Sequence, residues 1–93
     1  MKAIWNGKVI AQSDETIIIE SNHYFPRSAI ASEYFIESSK TTHCPWKGDA
    51  SYFSIVIDGK TNLDAAWYYP NPKDAVKEIT GMIAFWRGVT VSA

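Results

Sequence analysis

Apolar and polar positions alternate over short stretches of this chain, and turn-forming pairs separate the stretches. Lys2-Ala3-Ile4-Trp5 and Lys8-Val9-Ile10-Ala11 flank Asn6-Gly7, a dipeptide that tolerates positive φ at both positions, so the opening reads as a hairpin. A turn at Ser13-Asp14-Glu15 leads to Thr16-Ile17-Ile18-Ile19-Glu20, a β-branched run too short for a helix. Three antiparallel strands are therefore expected to open the domain. Ser21-Asn22 turns the chain into His23-Tyr24-Phe25-Pro26, where Pro26 has no N–H for a ladder and marks an edge or a strand end.

The stretch from Arg27 to Ser39 carries two signals. Ser28-Ala29-Ile30-Ala31 suits one helical turn and Tyr34-Phe35-Ile36 an extended strand, giving a turn followed by a short strand. Ser38 to Gly48 has neither period and contains Pro45, which predicts an irregular loop. Alternation returns from Ala50 to Ile57, Asp58-Gly59 supplies a second hairpin turn, and the return strand continues through Trp67-Tyr68-Tyr69. Asn71 as N-cap, Pro72 at the first helical position, Asp74 reaching back, and Ala75, Val76 and Ile79 as an apolar stripe predict one short helix around residues 72–80. Gly81 ends it, Met82-Ile83-Ala84-Phe85-Trp86 is a final strand, and Val89 to Ala93 is a tail. This pattern predicts a mainly β single domain over residues 1–93, built as a small antiparallel barrel or a folded sheet.

Composition narrows the function classes. No run of about 18 apolar residues occurs and no leader pattern precedes the first hairpin, which predicts a soluble cytoplasmic protein that does not enter a membrane. Nine Lys and Arg against ten Asp and Glu give a net charge of −1, without the basic excess that nucleic-acid binding requires. A single cysteine forbids an internal disulfide, so the apolar mass of four Trp, five Tyr and four Phe has to hold the fold. On strands, alternate aromatics face opposite ways; about half should form core and the rest are free to line a pocket.

The reactive side chains are few. Cys44, His23 and His43 are too few for a closed zinc site; a three-ligand site of His23, His43 and a carboxylate or Cys44 is arithmetically open but lacks paired spacing, so no metal or cofactor is expected. Lys47-Gly48 lacks the remaining residues of a phosphate-binding loop and precedes a strand rather than a helix. No Asp-x-Asp or Glu-x-Glu pair occurs, Asp14-Glu15 falls in a turn, and Asp74 and Glu78 fall on the outer side of the predicted helix. Cys44 lies between His43 and Pro45 with Lys47 nearby, and adjacent positive charge favours a thiolate; as a lone cysteine it better suits a place in the core as a small apolar side chain.

Tyr24-Phe25-Pro26, then Thr42-His43-Cys44-Pro45-Trp46-Lys47-Gly48 with Ala50-Ser51-Tyr52, then Ala66-Trp67-Tyr68-Tyr69-Pro70 and Pro72 occur in an order that resembles domain-of-unknown-function family 427. The likeness runs from Asn6-Gly7 to Ile83-Ala84-Phe85-Trp86. It implies a tent-like antiparallel fold related to methionine sulfoxide reductase B and to zinc-binding guanine-nucleotide-exchange domains, without their four-cysteine site. It also implies the nucleotidyltransferase-like activity for which the family is labelled. The position held here by Trp46 carries other aromatics in relatives, which implies a need for a flat side chain.

These readings predict a domain that binds a small molecule, neutral or anionic, between the Thr42–Gly48 loop and the aromatic strands. His43, Cys44 and Lys47 are the candidate catalytic residues, as acid/base, nucleophile and anion anchor. Tyr24, Arg27, Trp46, Gly48, Tyr52, Trp67 and Tyr69 are the candidate ligand-binding residues. A structural or protein-interaction module without catalysis, and nucleotidyl transfer, stay open beside this reading.

Overall fold

A computed structural model describes residues 1–93. Nine strands follow one another: β1 (Lys2–Trp5), β2 (Lys8–Gln12), β3 (Ile17–Ile19), β4 (Asn22–Tyr24), β5 (Phe35–Cys44), β6 (Gly48–Ile57), β7 (Lys60–Tyr68), β8 (Ile83–Phe85) and β9 (Thr90–Ser92). Both hairpin turns form where the sequence places them. Asn6 and Gly7 (φ 50° and 74°) join β1 to β2, and Asp58 and Gly59 (φ 52° and 76°) join β6 to β7.

The strands pair antiparallel into three sheets, ordered β2-β1-β9, β3-β4 and β5-β6-β7-β8. The fold is therefore the folded-sheet alternative and not a closed barrel. β5 pairs only with β6, whereas β8 is met on its outer side by Phe25, whose N–H and C=O exchange hydrogen bonds of 2.8 and 2.9 Å with Ile83.

Five expectations change. The third strand does not extend the opening hairpin: Glu20 and Ser21 (φ 53° and 66°) turn β3 back onto β4, and β9, expected as a tail, takes the free side of β1. The turn thus lies one residue earlier than Ser21-Asn22. The expected short strand near Tyr34 and the expected loop from Ser38 together form β5, leaving only Pro45-Trp46-Lys47 as turn. β5 is a sheet edge with most positions exposed, so Ser and Thr fill it without the alternation of a half-buried strand, and its register shifts between Glu37 and Thr41.

The predicted helix is a 3₁₀ segment, Asp74–Ile79, kinked at Val76 (φ −131°, ψ 31°). Asn71 does not cap it; the flanking residue is Lys73, whose N–H is taken by Lys47 O at 2.9 Å, while Gly81 N–H donates to Tyr69 O at 3.0 Å. Tertiary bonds thus pin both ends of a short segment. Its buried residues, Val76 and Ile79, are three apart, the repeat that a 3₁₀ turn aligns on one side, while Ala75 is exposed. Two further 3₁₀ turns, Arg27–Ala29 and Ser32–Tyr34, precede β5. No helix is long and apolar enough to cross a membrane.

Side-chain alternation on the four-stranded sheet divides the core in two. Phe53, Ile55, Ile57, Ala66, Ile83 and Phe85 pack with Ala3, Ile10 and Ala11 of the first sheet. Ala50, Tyr52, Tyr69 and Ala84 pack on the opposite side with Tyr24, Val76 and Ile79. The second cluster borders the site described next.

Candidate functional site

The register of β6 on β7 sets Tyr52 opposite Trp67, and β8 sets Ala84 on the other side of Trp67. The two-residue period then brings Tyr69 and Trp86 to the same face and sends Phe53 and Tyr68 to the other. Tyr52, Trp67, Tyr69 and Trp86, with Lys47, line a pocket of about 210 Å³. Trp67 is held by its Nε1–H, which donates to Tyr24 Oη at 3.1 Å, and by edge contacts with the rings of Tyr24 and Trp86 at 6.3 and 6.1 Å. Trp86 Nε1–H donates to Asp64 O at 2.6 Å, and Tyr52 Oη shares a 2.9 Å hydrogen bond with Thr42 Oγ1. Tyr69 is only 5% exposed as a residue, and its hydroxyl, which makes no hydrogen bond within the chain, stays accessible to solvent. Burial pushes that hydroxyl's pKa up to about 12, although Lys47 acts in the opposite sense. Burial likewise raises the pKa of Tyr24, beneath Trp67, against the hydrogen bond from Trp67.

Lys47 reaches this face from the tight turn between β5 and β6. Gly48 adopts φ 111°, a conformation that side chains rarely adopt, and passes close to residues 71–73: a Cβ there would lie 3.4 Å from Asn71 O. Lys73 ties the turn down through its Nζ, which donates to Pro45 O at 2.6 Å. Lys47 is therefore 8% exposed, a rare state for lysine, and its Nζ donates to and pairs with Glu20 Oε1. The ammonium also lies 5.2 Å from the ring centre of Trp46 and 5.8 Å from that of Tyr69. Burial lowers the Lys47 pKa, but the Glu20 hydrogen bond and the neighbouring Tyr69, Tyr24 and Cys44 outweigh it, and the net shift is upward. The side chain is consequently an ammonium at neutral pH, suited to holding an anion and not to acting as a nucleophile or base.

The other candidate residues separate. β5 alternation puts His43 opposite Asp49, where its Nδ1 lies 2.7 Å from Oδ1 and both side chains are exposed, while Cys44 is half-buried against the Tyr24, Tyr52 and Tyr69 cluster. His43 and Cys44 thus point to opposite sides of the sheet and do not form a pair. Arg27 stacks on Phe53 and Tyr68, with its guanidinium carbon 5.3 and 4.9 Å from their ring centres, on the face away from the pocket. Trp46 is exposed beside Lys47, and Gly48 serves the turn. Tyr52, Trp67, Tyr69 and Lys47 are brought together. Trp86 and Glu20 are the additions. Trp86 was legible as the next same-face position after Ala84, whereas Glu20 meets Lys47 across 27 residues with no local signal in the sequence.

No group of three His, Cys, Asp or Glu side chains lies where it would hold a metal ion, and His23 is bonded through Nδ1 to Thr16 Oγ1 at 2.8 Å. Comparison with curated proteins gives no match. The family model described as a domain of unknown function, DUF427, matches residues 1–92. That match takes in the paired strands, the Lys47 turn and every residue of the aromatic pocket, and on it the chain belongs to domain-of-unknown-function family 427.

Proposed function

We propose that the chain binds a small, flat molecule in the aromatic pocket, with the polar or anionic edge of the ligand against Lys47 and Tyr69. Tyr52, Trp67 and Trp86 offer ring surface on which a planar molecule gains stacking and burial. The volume, about 210 Å³, falls below the roughly 300–1,000 Å³ of pockets that enclose drug-sized ligands, so the ligand is of single-ring size and no nucleoside triphosphate is enclosed. The observation that carries the reading is the unpartnered hydroxyl of nearly buried Tyr69 beside the buried ammonium of Lys47, two polar groups in an otherwise aromatic lining. The ring of Tyr69 is buried while its hydroxyl stays accessible and takes no partner from the chain, so the hydroxyl is free to bond a ligand.

The nucleotidyltransferase-like label of the family calls for carboxylates arranged around a divalent ion. Asp74 and Glu78 are exposed on the 3₁₀ segment, and no three ligating side chains converge, so the residues present do not fit such an ion. Binding without metal-assisted transfer is the better supported chemistry.

The test is a titration of isotope-labelled protein with single-ring probes, benzoate and benzamide among them, followed by two-dimensional NMR and tryptophan fluorescence. Saturable shifts confined to Lys47, Tyr52, Trp67, Tyr69, Trp86 and their neighbours are expected. Probes that leave these five residues unmoved at millimolar concentration would overturn the reading.

A further inference from the structure

Glu20 occupies an unusual position. It sits in the two-residue turn between β3 and β4 with φ 53°, a conformation uncommon for a residue with a side chain. Its side chain is 52% exposed, yet it reaches the ammonium of Lys47, a side chain that is only 10% exposed. The two partners therefore respond differently to separation. A half-exposed carboxylate is readily rehydrated and an exposed ion pair contributes little, whereas a buried ammonium left without an anion is strongly disfavoured. The pair resists loss of the anion far more than exchange of one anion for another. Lys47 is also the one charged residue in the pocket lining, so the pocket and Glu20 meet at the same side chain.

We infer that Glu20 is a tethered competitor at the anion position of Lys47, and that the pocket selects ring-bearing carboxylates able to take its place. This rests on the reading of the pocket as a small-molecule site. A tethered carboxylate acts at high effective concentration and lowers the apparent affinity of every anion that has to displace it, while a neutral ring that stacks without touching the ammonium escapes the competition. Glu20 is then a specificity-determining residue that touches no ligand. Displacing its carboxylate also changes the charge and contacts beside the β3–β4 turn, so occupancy of the pocket by an anion is read at Glu20 and Ser21.

The experiment compares benzoate with its neutral isostere benzamide on the full chain, as wild type and as Glu20→Gln, which keeps a hydrogen-bond acceptor for Lys47 but removes the competing charge. Benzoate is expected to bind Glu20→Gln about fivefold more tightly than wild type, the equivalent of an exposed ion pair of about 1 kcal/mol, with benzamide unchanged. In the wild type, benzoate should move the backbone amides of Glu20 and Ser21 and benzamide should not, a measurement that stands even if the variant folds poorly. Equal benzoate affinity in the two proteins, with the pocket residues still shifting, would overturn the competitor and leave the pocket reading intact. Absence of any pocket shift with either probe in either protein would remove both.

Discussion

Tyr69 keeps its proton to about pH 12 because a buried phenolate has lost the water that would stabilise it. In the unfolded chain the same hydroxyl ionises near its ordinary value of 10.0. Below that pH both states are neutral and the burial is fully tolerated; between about pH 10 and pH 12 the unfolded state releases a proton that the folded state retains, so stability falls as pH rises. The raised values of Tyr24 and Lys47 act in the same alkaline window and with the same sign. Urea midpoints measured from pH 9 to 12 should therefore decline, with Tyr69 contributing to the fall in the same direction as Tyr24 and Lys47. Tyr69→Phe should flatten the slope, and an unchanged slope in that variant would place the alkaline sensitivity elsewhere.

The turn at residues 45–47 and the 3₁₀ segment at 74–79 act as one element, because each supplies what the other lacks. Lys47 O accepts from Lys73 N–H, Pro45 O accepts from Lys73 Nζ, and Gly48 passes under residues 71–73. Ala in place of Gly48 meets Asn71 O at 3.4 Å, an ordinary contact, so the penalty comes from φ 111° more than from crowding. Gly48→Ala is expected to lose about 1–3 kcal/mol, lowering Tm by about 5–15 °C. Because the turn sets Lys47 in the pocket, any shift of backbone should also weaken binding of benzoate more than that of benzamide. A variant with unaltered Tm would show that the turn relaxes without strain.

At the scale of the whole molecule, the four-stranded sheet is covered on both sides, and the chain's last strand decides how well. β9 lies on β1 with Ala3 opposite Val91, and Val91 packs against the cluster containing Ile10, Ile55 and Phe85. Deleting residues 90–93 removes that ladder and exposes apolar surface of the first sheet, an expected loss of about 1–3 kcal/mol. Thermal unfolding of the truncated chain should report it as a fall in Tm of about 5–15 °C, with the β3–β4 hairpin still joined to β8 through Phe25 and Ile83. A truncated chain as stable as the full one would mean that the first sheet contributes little to closing the core.

The chain's own order of residues determined what depends on near neighbours. Asn6-Gly7 and Asp58-Gly59 set their hairpins because positive φ is a local property, and alternation from Ala50 to Ile57 placed Tyr52 and Phe53 on opposite faces before any partner was known. The family resemblance rested on motifs that include Tyr52, Trp67, Tyr69 and the Lys47 turn, and four of the five pocket residues were among the candidates. Tertiary structure decided the rest. β5 was illegible because an edge strand need not alternate, β9 because three residues form a strand only when β1 has a free side to pair with, and the 3₁₀ segment because distant hydrogen bonds overrode its capping residues. The separation of His43 from Cys44, and the meeting of Glu20 with Lys47, follow from strand faces and sheet folding. Those are relations between segments far apart in sequence, where charge and burial are set by partners that no local pattern names.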